Sequence, residues 1–174
     1  YGPDATVANS ATMPLSDDGH ICVKAVGTTH VLIDIAGYYE SGFTPVEPGR
    51  VVDTRLSGSK IDDVTRFKIV DAPVLGDPTR TGDTIGVPAG TAAVAMNITV
   101  TGTETGGYVS VYPCANTDTA VPNTSNVNYG PDATVANSAT MPLSNDGYIC
   151  VNAVGTTHVL IDIAGTLANE VSPS

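Results

Sequence analysis

Apolar residues recur at every second position through many short stretches of this chain, separated by clusters of Gly, Pro, Asp and Asn, and that is the period of half-buried β-strands. In HVLIDIAG, Val31, Ile33 and Ile35 share one face and His30, Leu32 and Asp34 the other. A strand apolar on both faces except for one carboxylate is expected at the centre of a sheet. Residues 4–15 alternate until Pro14 and a Ser-Asp-Asp-Gly turn, where Asp18-Gly19 predicts a hairpin. The return strand, 20–26, sets Ile21, Val23 and Ala25 against His20, Cys22, Lys24 and Val26. Further on, Pro45 and Pro48 confine FTPVEPGRVVDTR to an edge or loop until Val51. Residues 56–65 read as a loop, 67–70 as a brief strand and 71–90 as a long irregular stretch. The pattern then predicts a long hairpin of 92–101 against 108–113 and a short strand at 125–128. With three more strands after residue 129, the count is about eight in roughly 125 residues, which predicts an all-β, two-sheet Greek-key or jelly-roll sandwich.

The stretch 1–37 returns at 129–165, offset by 128 residues, with three differences: Asp17 becomes Asn145, His20 becomes Tyr148 and Lys24 becomes Asn152. The apolar pattern is untouched, so one building block is used twice. Residues 1–40 therefore read as the second half of a preceding repeat, three strands long, 41–168 as a complete repeat and 169–174 as a tail.

Composition narrows the partners. Seven Lys and Arg against 18 Asp and Glu give a net charge of -11, which repels nucleic acid and anionic membranes. Only 14% of residues are charged and 41% are hydrophobic, which argues against disorder. No basic-then-apolar leader and no apolar run near the ~20 residues of a membrane span occur, so a mature, soluble chain is expected. Cys114 and Cys150 lie within the complete unit, whereas Cys22 is the copy of Cys150 without a Cys114 of its own. A disulfide from Cys114 to Cys150 or to Cys22 is expected, as is an extracellular setting.

Five ordered blocks, PVEPGRVVDTR, VPAGTAAVAMNITVT, GYVSVYPC, SNVNYG and THVLIDIAGYY, resemble a tandem repeat of large secreted and surface proteins of actinobacteria and other environmental bacteria. There the repeat often sits beside cell-wall or polysaccharide hydrolase domains. The resemblance covers 43–165 entire and 1–39 as half of a preceding unit, and it implies an extracellular, non-catalytic module that forms arrays.

Candidate chemistry is sparse. Asp53 and Arg55 share a strand face, and Asp162 lies four residues from His158 on one face. Such a set suits acid, base or metal-ligand roles, but a structural charge pair of Asp53 or Asp162 with Arg55 is the expectation. No G-x-S-x-G elbow is present, so no enzymatic activity is expected. Asp17, Asp18, Asp62, Asp63, Asp77 and Asp83 are oxygen ligands of the kind calcium takes, without a D-x-D-x-D-G loop; His30 and His158 lack zinc spacing, so no cofactor is assigned. Tyr38, Tyr39, Tyr108, Tyr112 and Tyr148 with Asn126 and Asn128 would form a thin sugar-stacking platform, and a carbohydrate-binding module of a secreted cell-wall or polysaccharide-degrading protein is the alternative. The leading expectation is a structural or adhesive surface repeat that pairs with itself, with a filament as one form of that pairing, through Ile21, Val23, Val31 and Ile33.

Overall fold

The computed structural model describes residues 6–168. Within them, eight strands form between 43 and 167: β1 (Phe43–Asp53), β2 (Val64–Lys68), β3 (Ala93–Thr101), β4 (Gly107–Pro113), β5 (Val127–Tyr129), β6 (Val135–Pro142), β7 (Tyr148–Val154) and β8 (His158–Leu167). A one-turn helix, α1 (Thr54–Ser57), follows β1. Two four-stranded antiparallel sheets result, ordered β1-β8-β3-β6 and β2-β7-β4-β5, the strand order of a jelly roll. The chain folds as one long double strand in which β1 to β4 pair in turn with β8, β7, β6 and β5.

Alternation decides what is buried. Val159, Ile161 and Ile163 of β8 face inward and are fully buried, as are Ile149 and Val151 of β7 and Val94, Ile98 and Val100 of β3. Each such side chain contributes about 1.5–3 kcal/mol of burial. The central place expected for HVLIDIAG is where β8 sits, between β1 and β3. Phe43 opens an edge strand, and the ladder skips between Pro45 and Gly49, where the prolines withhold N–H donors.

Two pairings differ from expectation. The stretches 92–101 and 108–113 do not form a hairpin: β3 and β4 lie in opposite sheets. The Asp-Gly turn is likewise no hairpin, because β6 and β7 leave the turn for different sheets. In a jelly roll most successive strands cross between the layers, so a tight turn reverses the chain without joining its flanks in one ladder.

The second half of the unit is wholly dependent on the first. β6 pairs with β3, β7 with β2 and β4, and β8 with β1 and β3; no two of β6, β7 and β8 pair with each other. Residues 6–42, predicted as three strands plus a joint, form no ladder at all. Their copy shows why: every partner of such strands lies in a first half, and the first half at 43–129 is already filled.

Candidate functional site

The turn at 16–20 of the 6–39 arm keeps the shape of its seated copy. Ser16 N–H donates to the His20 carbonyl at 3.0 Å and Gly19 N–H to the Ser16 carbonyl at 2.8 Å. Ser144, Tyr148 and Gly147 repeat both bonds at the same distances. Ser16 Oγ accepts from His20 N–H and donates to Asp18, as Ser144 Oγ does with Tyr148 and Asp146. Gly19 and Gly147 have φ of 80° and 81°, and Gly27 and Gly155 of 90° and 89°. The Ser-x-Asp-Gly sequence closes this turn from its own side chains, so the shape survives without neighbouring strands.

Burial separates the copies completely. Ile21, Val23, Val31 and Ile33 are 39%, 57%, 54% and 58% exposed, while Ile149, Val151, Val159 and Ile161 are at 0%. The arm touches the sandwich through Asn9, whose side chain donates to Asn97 and accepts from the Ser138 backbone N–H, and through Tyr39, whose ring lies 5.6 Å from that of Phe43 at a tilt of 33°. The expected assembly residues thus lie together on one uncovered segment.

The charged residues resolve differently. Arg50, overlooked in the sequence, grips Asp162 with two bonds of 2.8 and 3.2 Å and reaches Asp53 at 3.4 Å. Arg55 does not meet Asp162; it turns back on Asp53 with bonds of 2.9 and 2.7 Å. The cause is local: Asp53 ends β1 and caps α1 by accepting from Arg55 N–H, which carries Arg55 off the strand. Asp162 is half-exposed rather than buried. The bond from Arg55 holds the Asp53 carboxyl below the ordinary carboxylate range, and the bond that Arg50 donates to Asp162 raises Arg50. Thr54 Oγ1 lies 3.1 Å from His158 Nδ1 and accepts from Val159 N–H, so this hydroxyl is used within the fold.

Cys114 and Cys150 form a disulfide, and Cys22 is a free, exposed thiol. The tyrosines and asparagines do not assemble into one platform. Tyr112 is buried, Tyr148 lies under the Arg66 guanidinium at 3.5 Å, and Asn126 accepts from Val111 N–H. Tyr108 sits opposite the exposed Asn128 on the β4–β5 ladder, and Tyr38 and Tyr39 belong to the arm. Among the loop acids, Asp77 caps the 3-10 turn Pro78–Arg80 and Asp63 accepts from Val64 N–H. Among the described residues no three His, Cys, Asp or Glu side chains gather into a metal-binding group, and no helix is long and apolar enough to cross a membrane. The chain matches no protein-family model and no curated protein.

Proposed function

We propose that this chain is a non-catalytic, extracellular structural repeat, of the tandem kind its sequence blocks resemble, that associates with copies of itself. One observation carries the reading: a near-identical copy of the seated half-repeat, with the same turn, exposes the apolar side chains that the seated copy buries. A folded protein seldom leaves so many large apolar side chains of one segment open to water. Burying them against another molecule is the direct remedy, and a head-to-tail contact that does not close extends into a fibre. The Cys114–Cys150 disulfide and the acidic, Lys-poor composition support an extracellular setting.

Light scattering on the 1–174 chain beside a 41–174 truncation tests the reading. A monomeric truncation and a heavier parent are expected; equal monomeric masses would refute self-association.

A further inference from the structure

The half formed by 43–129 is a slot: β8 fills the gap between β1 and β3, β7 the gap between β2 and β4, and β6 lines the outer edge of β3. We propose that this slot has a second occupant in the same chain, the arm 7–39, which enters through a β-hairpin at 40–42, so that the sequence encodes two mutually exclusive sandwiches, 43–167 and 7–129. The inference goes beyond self-association and holds whether or not copies associate.

The register supplies the geometry. Phe43 pairs with Leu167 at the end of β8, and the 128-residue offset places Tyr39 where Leu167 stands. With Tyr39 opposite Phe43, the connection is Glu40-Ser41-Gly42, a three-residue loop. Such loops close a hairpin with a left-handed last residue, and Gly42 already has φ of 78°. The Tyr39 and Phe43 rings are already in contact. At Gly165 a Cβ would come within 2.2 Å of the Phe43 ring, and the arm brings Gly37 to that place. Arm residues Val31, Ile33, Ile21 and Val23 repeat the side chains that fill the core, and Cys22 would arrive beside Cys114 as Cys150 does.

The exchange is close to balanced, since one half is seated and one uncovered in either arrangement. Two substitutions tilt it toward the state described. His20 replaces Tyr148, forfeiting a ring on which Arg66 stacks, and Tyr38 replaces the buried Thr166. Exchange between separate molecules conserves the number of unseated halves in the same way, which leaves the linked, intrachain competitor with the advantage of effective concentration.

The disulfide can follow the exchange without an external oxidant. The Cys22 thiolate attacks Cys114 Sγ, the Cys22–Cys114 bond forms as Cys114–Cys150 breaks, and Cys150 leaves as a thiolate that takes up the proton Cys22 gave up.

The test uses the full chain with Cys150→Ser, incubated with oxidised glutathione, which accepts two electrons and is reduced to two thiols as a protein disulfide forms. Peptide mapping without reductant is expected to find Cys22–Cys114 within monomers, and a Cys22→Ser chain in the same buffer is expected to form Cys114–Cys150. Cys22 and Cys114 left unlinked, or linked only between chains, would overturn the proposal. A second variant, Ile161→Asp with its cysteines intact, should keep a cooperative melt and carry Cys22–Cys114, and adding Ile33→Asp should abolish both. If Ile161→Asp alone is as unfolded as the double variant, the arm does not seat. Light scattering reads self-association separately, so either idea can fail without the other.

Discussion

Asp53 satisfies an N-cap, the Arg55 guanidinium and the edge of Arg50 with one buried carboxylate. Replacing it with Ala removes the cap and charge-assisted bonds, an expected loss of about 2 kcal/mol in urea unfolding. Because the folded-state pKa is depressed, this stability is present above the unfolded value near 3.9 and disappears as pH falls through the lower folded value. The difference between wild type and Asp53→Ala should therefore hold from pH 7 to 5 and shrink below about pH 4. Asp162→Ala is expected to cost less, about 1 kcal/mol or under, because its pair with Arg50 is partly open to water. Both carboxylates could be picked from the sequence as paired, but not the partner of Asp162. A register shift between Arg50 and Val52 sets Arg50 opposite Asp162, and a shift of that kind has no signature in alternating residues.

Strands were readable from alternation because each has one face in the core, as β7 and β8 show almost residue by residue. Their partners were not. A turn such as Ser144 to Gly147 specifies that the chain reverses, whereas the sheet each flank joins depends on strands far away in sequence. The disulfide between β4's end and β7 closes 36 residues, and its reduction should lower stability by ~3–4 kcal/mol, read as a drop in Tm on adding reductant. Ile161→Ala should cost about 2–5 kcal/mol in the 41–174 truncation, where its cavity has no remedy. In the full chain the loss should be smaller, since an intact Ile33 waits on the arm; equal losses in urea melts of both would speak against a second occupant.

For the molecule as a whole, an uncovered apolar face works against a net charge of -11. Copies repel at long range, so association should strengthen as salt screens that repulsion: raising ionic strength from about 0.01 M to 1 M shortens the screening length from ~30 to ~3 Å and should raise the mass seen by light scattering. A mass that falls with salt would point to charge pairs rather than apolar burial as the adhesive force. The interleaving of the two halves also imposes an order in time. The sheet β1-β8-β3-β6 cannot be completed until the last strand of 43–167 has been synthesised, because β8 is central to it. Residues 7–129 leave the ribosome before residues 135–167 do, so the arm is at hand on the amino-terminal side of its slot before the later copy exists. The newborn chain would thus close first in the permuted order and become the sandwich described here only when the later copy displaces the earlier, making the finished fold the second one the polypeptide visits.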